Sequence, residues 1–171
     1  MIHIYETQHM TACGPLTIWT YAGKVVMCNW SAADSDPTKK RILKSLQTSL
    51  ARLENGETSR TLIKQLDEYF DGKRKEFDVP TLLIGSDFQK AAWASLTKIP
   101  YGETISYKEE AERIGAPNAW RAIGNANRSN PLAIIRPCHR VVGTNGEIGG
   151  YSGGKEAKRF LLELERRNSI G

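Results

Sequence analysis

The sequence has few cysteines and no long apolar run. Its 171 residues include three cysteines, Cys13, Cys28 and Cys138, and none of them stands in a CxxC pair. An odd, scattered set argues against a disulfide framework and is typical of a reducing compartment. No stretch approaches the roughly 20 apolar residues that cross a bilayer, and no basic segment followed by an apolar one marks a signal peptide. We therefore expect a cytoplasmic protein that has no membrane partner.

The composition is that of an ordinary globular protein with one asymmetry of charge. Hydrophobic residues make up 40% and charged residues 25%, which excludes disorder for most of the chain. The net charge is +5, and residues 85–171 carry 13 Lys and Arg against 9 Asp and Glu, while residues 1–84 carry 11 against 10. The basic excess of the second half favours a polyanionic partner there.

The pattern of the chain changes near residues 82–87. The first part is rich in β-branched and aromatic residues broken by turn residues, and then in apolar residues at helical spacing. We predict an α/β protein of two domains, residues 1–84 and residues 85–171. In the first domain the predicted strands are 2–7, 16–21, 25–29 and 77–84, and the predicted helices are 38–53 and 59–70.

The second domain contains a helix-turn-helix pattern after a first helix that begins at residue 86 or 87. Ser106 with Glu109 forms a capping-box pattern that starts a short helix, and Gly115 ends it. Pro117 suits the first turn of the next helix, which continues to about residue 127. One face of that helix is polar, which suits DNA phosphates and base edges and also suits an ordinary solvated face. The polar face consists of Asn118, Arg121, Asn125 and Arg128, and the inward side of Ala119, Ala122, Ile123 and Ala126.

The reactive groups of the chain are concentrated after a short apolar segment. Residues 132–135 are predicted as a strand that ends at Pro137, because proline cannot continue a central ladder. Cys138 and His139 follow directly. A cysteine beside an imidazole is a candidate nucleophile, and a buried, inert cysteine is the alternative interpretation.

Charged residues near this cysteine favour the first interpretation. Arg136 and Arg140 flank the pair, and cationic neighbours lower the pKa of a thiol. A carboxylate late in the final helix would orient the imidazole, as in a catalytic triad, and both Glu163 and Glu165 are candidates.

The run Pro137-Cys138-His139-Arg140-Val141 resembles the signature of the O6-alkylguanine-DNA alkyltransferases, also called methylated-DNA–protein-cysteine methyltransferases. The resemblance is strong over residues 85–167, and the first 84 residues match in outline the variable N-terminal domain of the family. Five further motifs occur in the order and spacing of the family, at residues 99–103, 106–107, 120–124, 129–131 and 150–154.

The resemblance implies a role for each matching residue. Cys138 is similar to the alkyl acceptor, His139 to a general base that acts through a water, and Glu165 to the carboxylate that orients it. Asn130 is similar to the residue that braces the active-site turn. Tyr107 is similar to a residue that crowds a DNA phosphate, and Arg121 to one that fills the gap left by an extruded base. The other residues of the DNA-facing helix are Asn118, Asn125 and Arg128. The residues similar to those that line the guanine pocket are Tyr151, Ser152 and Val141.

The resemblance also implies a fold and an activity. The expected fold is a small ribonuclease-H-like sheet-and-helix domain followed by a mostly helical domain with the helix-turn-helix. The expected reaction is a single, irreversible transfer of an alkyl group from O6-alkylguanine, and more slowly from O4-alkylthymine, in double-stranded DNA to Cys138. We expect a monomer that uses no cofactor. Some family members hold zinc in the N-terminal domain. The possible ligands here are Cys13, Cys28, His3 and His9, but their spacing forms no recognised zinc site.

Some features of the chain depart from the family pattern and leave alternatives open. Trp120 stands where many relatives have a small residue, and it either packs inward or widens the DNA-facing surface. Asn127 replaces an apolar residue of some relatives, and Gly149-Gly150 favours a mobile pocket loop. The other functions considered are a lesion-binding protein that transfers nothing, a regulatory DNA-binding module and a Cys-His hydrolase, which would turn over an ester.

Overall fold

The computed structural model of the protein describes residues 3–30, 36–52 and 56–169. The chain forms two compact units, Met1–Gly85 and Ser86–Gly171. Within the described residues no helix is both long enough and apolar enough to span a bilayer.

The first unit is built on a four-stranded sheet with the order β3-β2-β1-β4. β1 and β2 form an antiparallel hairpin, β3 continues it, and the short β4 pairs parallel to β1. The three predicted strands of the hairpin region are confirmed, although residue 2 lies outside the described residues. The strands are β1 Ile4–Thr11, β2 Gly14–Tyr21, β3 Lys24–Trp30 and β4 Leu50–Arg52, and the helices are α1 Pro37–Leu46 and α2 Glu57–Phe70.

Two predicted elements of this unit are wrong. The helix predicted at 38–53 ends at Leu46, because Gln47 takes a left-handed conformation (φ 50°) and donates its N–H back to the last turn, and the chain then forms β4. Residue 53 lies outside the described residues. The strand predicted at 77–84 is irregular apart from one parallel bridge between Val25 and Thr81.

The core of the first unit lies between the sheet and a helix. Ile4, Trp19 and Met27 of the sheet pack with Ile42 of α1 and with Ile84. The indole N–H of Trp19 donates to the Glu6 carboxylate at 2.8 Å, which satisfies its polar atom.

The second unit is mostly helical, with a two-stranded parallel sheet. Small side chains let three of its helices approach closely, and the indole N–H of Trp93 donates to the Ala126 carbonyl at 2.7 Å. At the capping-box pattern predicted for Ser106, the serine hydroxyl accepts from the backbone N–H of Glu109. Ser86, which was not predicted as a cap, forms a capping box with Gln89. The elements are α3 Asp87–Leu96, β5 Ile105–Ser106, α4 Tyr107–Arg113, α5 Trp120–Arg128, β6 Val141–Val142 and α6 Lys155–Asn168, with a 3-10 helix at Cys138–Arg140.

The second helix of the helix-turn-helix begins later than predicted. α5 starts at Trp120 instead of Pro117, because Ala116 and Ala119 form hydrogen-bonded turns that carry the chain across the gap. Asn118 therefore lies in the turn and not on the helix face. Ala122, predicted to face inward, is exposed.

The apolar segment before the reactive cysteine is a turn and not the predicted strand. The N–H of Ile135 donates to the Ala133 carbonyl and that of Arg136 to the Leu132 carbonyl, both at 2.8 Å. Ile134 has a φ of 71° in this turn, which is unusual for a β-branched residue. Apolar residues here cover a tight bend and do not extend a sheet.

Candidate active site

Cys138 contributes to the wall of a cavity in the second unit. The cavity has a volume of about 400 Å³, within the range of small-molecule sites. Cys138 itself is 5% exposed, and its small exposed surface lines this cavity. The lining residues are Tyr107, Trp120, Arg121, Gly124, Asn125, Asn127, Arg128, Cys138, Gly149, Gly150 and Tyr151.

Asn130 holds the bend that positions the cysteine. Its side-chain amide donates to the Arg136 carbonyl at 2.8 Å, and its side-chain oxygen accepts from the Leu132 N–H at 3.0 Å. Asn130 also hydrogen-bonds the Cys138 sulfur in a way that favours the thiolate. One buried side chain thus closes the turn and contacts the reactive atom.

His139, Arg140 and Glu165 form a buried charged group behind the cysteine. Nε2 of His139 lies 2.6 Å from Oε2 of Glu165, and the guanidinium of Arg140 donates to both carboxylate oxygens at 2.7 and 3.1 Å. Burial alone would raise the pKa of Glu165, but the charges and hydrogen bonds of His139 and Arg140 outweigh it and hold that pKa well below its ordinary range. Glu163, the other carboxylate considered, is exposed and binds Arg166.

The geometry determines which nitrogen of His139 carries a proton. Burial lowers the pKa of His139 despite the neighbouring Glu165, so the ring is neutral at physiological pH. Nε2 faces an ionised carboxylate and must donate to it, which leaves Nδ1 with its lone pair. Nδ1 is buried and has no hydrogen-bond partner among the described residues. A neutral imidazole with an open nitrogen, next in sequence to a thiol, is suited to accept a proton.

The thiol of Cys138 is not strongly acidic. Burial raises its pKa to about 11, and the contributions that lower it come from Asn130 and Lys158. The expectation that Arg136 and Arg140 activate this thiol is therefore wrong. Arg140 is engaged with Glu165 and with the Ile99 carbonyl, so its charge is already neutralised.

Lys158 is a site residue that the sequence interpretation missed. A Lys-Arg pair is typical of a solvated helix face, but Lys158 is fully buried and donates to the Val141 carbonyl at 2.7 Å. Its ammonium also lies 3.5 Å from the Tyr107 hydroxyl. Burial lowers the pKa of Lys158 to about 8, while Cys138 opposes that shift. Its seven-residue spacing from Glu165 puts both on one helix face with Leu161, a signal present in the sequence.

The rim of the cavity contains basic and aromatic side chains. Arg121, Arg128, Asn125, Trp120 and Tyr107 all line it, as does Tyr151 from the glycine-rich loop. Three of the residues predicted to contact DNA or the guanine do not line it: Asn118 is in the preceding turn, Ser152 is exposed and Val141 is buried.

Asn127 also lines the cavity, and its amide donates to the buried Glu110 carboxylate at 2.8 Å. Trp120 is 48% exposed, so its interpretation as a core residue is wrong. Across the described ranges no three His, Cys, Asp or Glu side chains gather as a metal site requires.

Two models of one protein family match nearly the whole chain. Residues 87–167 match the family model of the DNA binding domain of 6-O-methylguanine DNA methyltransferase, and residues 4–83 match that of its ribonuclease-like domain. The chain belongs to the 6-O-methylguanine DNA methyltransferase family.

Relatives within this family match over most of the chain. A methylated-DNA–protein-cysteine methyltransferase of Mycolicibacterium paratuberculosis is 43% identical over 163 residues, 95% of this chain and 94% of the relative. One from Methanosarcina barkeri is 51% identical over 116 residues, 68% of this chain and 73% of the relative.

Solved structures of the family share the fold. The OGT of Mycobacterium tuberculosis in complex with DNA aligns with a TM-score of 0.84 at 40% identity, covering 96% of this chain and 94% of the other. The O6-methylguanine-DNA methyltransferase of Pyrococcus kodakaraensis aligns with a TM-score of 0.62 at 27% identity, covering 95% and 98%. The predicted fold class, a small ribonuclease-like sheet domain and a helical second domain, is confirmed.

Proposed function

We propose that the protein repairs DNA by moving the alkyl group of O6-alkylguanine onto the sulfur of Cys138. The observation that carries this proposal is the position of Cys138 on the wall of a base-sized cavity, next to a neutral His139 whose partner is an ionised Glu165. Similar proteins are methylated-DNA–protein-cysteine methyltransferases, and a solved relative is in complex with DNA. Double-stranded DNA that contains the lesion is the proposed partner.

The chemistry follows from the neighbours of the sulfur. The thiol proton passes to Nδ1 of His139, through a water, as Sγ attacks the alkyl carbon. The new S–C bond forms while the C–O6 bond breaks, and the electron pair of that bond stays on guanine. Guanine takes up a proton from solvent, and His139 releases the thiol proton to solvent, so the protons balance. Lys158 supports the thiolate with a positive charge, and Asn130 supports it with a hydrogen bond. Glu165 is a positioning residue that acts through His139.

The product explains why each molecule would react once. A thioether has no good leaving group, so the sulfur is not regenerated and one protein repairs one base. O4-alkylthymine presents a similar alkyl–oxygen bond on a smaller ring, and we expect it to react more slowly.

A base within a duplex hides its O6 substituent, so the lesion must be extruded before transfer. The basic rim of the cavity suits the phosphates beside an extruded nucleotide. We propose that Arg121 fills the vacated stack, because it stands on the first turn of α5 at this rim. Asn125 and Arg128 lie on the same helix and would contact the backbone.

Intact-mass measurement tests the proposal directly. The protein is mixed with a duplex that contains one O6-methylguanine, and the modified peptide is mapped. We expect a gain of one methyl group on Cys138, at most one per molecule. Cys138→Ala should gain none, and the matched thiol control Cys13→Ala should behave as the unaltered protein. Tight binding with unchanged mass would contradict transfer and make this a lesion-binding protein.

A further inference from the structure

One large aromatic side chain lies at the cavity with no role in the reaction described above. Trp120 is the first residue of α5, is 48% exposed and lines the same cavity as Cys138. Burial of an indole ring contributes more to binding than burial of most side chains, so a half-exposed tryptophan at a cavity is available for contact with a ligand.

The neighbours of Trp120 indicate what it contacts. The guanidinium of Arg121 lies over its ring, with the carbon of the guanidinium 5.0 Å from the ring centroid. This cation–π contact restricts both side chains before DNA binds. Arg128 and Asn125 continue the polar face along α5. The surface around the indole is therefore cationic, which suits a nucleic acid and not an apolar protein segment.

The depth of the cavity places the indole on the duplex side of the lesion. Cys138 is 5% exposed and Trp120 is 48% exposed, so the sulfur is buried deep and the indole lies at the mouth. A guanine whose O6 substituent reaches the sulfur occupies the space between them. The indole then faces the bases that stay in the helix.

We propose that Trp120 stacks on a nucleobase of the duplex next to the extruded nucleotide and forms, with Arg121, a two-residue wedge that stabilises the open helix. This inference rests on the proposed function. Stacking on an aromatic ring tolerates any base, so the wedge would act at lesions in every sequence context. Unstacking costs a few kcal/mol, and a flat ring at the gap recovers part of that cost.

The experiment compares a substrate that must be extruded with one that needs no extrusion. Methyl transfer to Cys138 is timed in single-turnover conditions with a duplex containing O6-methylguanine and, separately, with the free base O6-methylguanine. The variants are Trp120→Ala and Trp120→Phe. Phe160→Ala is the matched control, because Phe160 is 38% exposed, lies on α6 and does not line the cavity.

We expect Trp120→Ala to slow transfer from subsaturating duplex by about tenfold or more, the range that loss of one base–aromatic stack produces. Trp120→Phe should retain most of the rate, since it keeps a ring. Transfer from the free base should fall much less than transfer from the duplex in Trp120→Ala, and Phe160→Ala should match the unaltered protein on both substrates. Thermal melting of each variant verifies that it is folded.

Two results would overturn the inference while the proposed function stands. If Trp120→Ala repairs the duplex as fast as the unaltered protein, the indole makes no stacking contact. If it loses rate equally on duplex and free base, Trp120 belongs to the pocket that holds the base or its alkyl group. A failure of the unaltered protein to transfer methyl from either substrate would instead overturn the proposed function, and the wedge with it.

Discussion

Two buried charges on α6, Lys158 and Glu165, meet the segment that carries Cys138. Lys158 binds the Val141 carbonyl just beyond the 3-10 helix, and Glu165 binds His139 within it. Buried charges persist only where they are paired and hydrogen-bonded. One face of α6 therefore supplies charges that shift the pKa values of Cys138 and His139.

Removal of the Lys158 charge should make the thiol of Cys138 less acidic. Lys158→Met keeps the length of the side chain but loses the cation that lowers the pKa of Cys138. We expect the rate of Cys138 alkylation by iodoacetamide to fall by about tenfold at pH 7, where Lys158 is charged, the equivalent of one pKa unit. The pH–rate profiles of the two proteins should converge above about pH 8, where Lys158 loses its proton. Peptide mapping separates Cys138 from the other thiols. Arg159→Met, an exposed neighbour, is the control, and an unchanged profile in Lys158→Met would contradict the prediction.

The His139–Glu165 pair should make the second unit sensitive to acid. The pKa of His139 is lowered from 6.5 and that of Glu165 from 4.5, so below these values the unfolded chain takes up protons that the folded chain refuses. The stability from both groups is complete above about pH 6.5 and is lost as the pH falls, more steeply below about 4.5.

Urea unfolding between pH 7 and pH 4 measures this loss. Glu165→Gln should flatten the dependence below pH 4.5 and should itself cost about 3–5 kcal/mol, because it leaves the buried Arg140 without its counter-charge. Glu163→Gln, an exposed carboxylate of the same helix, should keep the slope of the unaltered protein. Equal slopes in all three proteins would refute the assignment.

At this scale the sequence predicts some residues and not others. Cys138 and His139 stand out in the sequence because they form the motif, and Glu165 was chosen over Glu163 by the family resemblance. The structure places Glu165 against His139. Lys158 was missed because a Lys-Arg pair resembles a solvated surface, and only its position on the buried stripe distinguishes it. The pKa of Cys138 could not be predicted, since burial and not the adjacent arginines decides it.

Among the elements, the loop before α6 lies against Tyr107 of α4 at Gly149, a residue without a side chain. Gly149 has a φ of 74°, and a Cβ there would lie 2.6 Å from the Tyr107 hydroxyl oxygen. The loop approaches α4 this closely only because glycine has no side chain. Gly146, in the same loop, has a φ of 83° but open space around its Cβ position.

This pair of glycines separates backbone strain from steric contact. Both Gly149→Ala and Gly146→Ala should lose about 1–2 kcal/mol of stability, because alanine disfavours the left-handed region. Only Gly149→Ala should displace Tyr107 at the cavity, and we expect it to slow methyl transfer by about 100-fold. Single-turnover rates measure the difference, and equal rates for the two variants would contradict a steric effect.

The elements also show where periodicity fails. The starts of α3 and α4 were predicted to within a residue, the second from its capping-box pattern. Residues 77–84 and 132–135 are apolar enough for strands, but both segments are irregular. Apolar side chains are buried equally well in a bend and in a sheet, so the pattern does not distinguish the two. Residues 132–135 form a bend because the Asn130 side chain donates to the Arg136 carbonyl. A sequence pattern does not reveal this contact.

For the whole molecule, the excess of positive charge in the second half of the chain would favour binding to DNA. Residues 85–171 carry 13 basic against 9 acidic residues, and the cavity rim lies among them. Affinity for duplex DNA should fall by about tenfold or more between 50 and 200 mM salt, because neutralised phosphates release counterions. Titrations with a fluorescent duplex measure the slope. Transfer from the free base should be insensitive to the same salt range, and a flat salt response of duplex binding would count against the DNA partner.

The burial of Cys138 has a consequence for the protein between lesions. A thiol with a pKa of about 11 is ionised in only about one molecule in ten thousand at neutral pH, and small oxidants and electrophiles react with the thiolate. Under the single transfer that we propose, a sulfur spent on an oxidant could not be used again. The burial that makes Cys138 a weak acid thus protects the unused thiol from small oxidants and electrophiles.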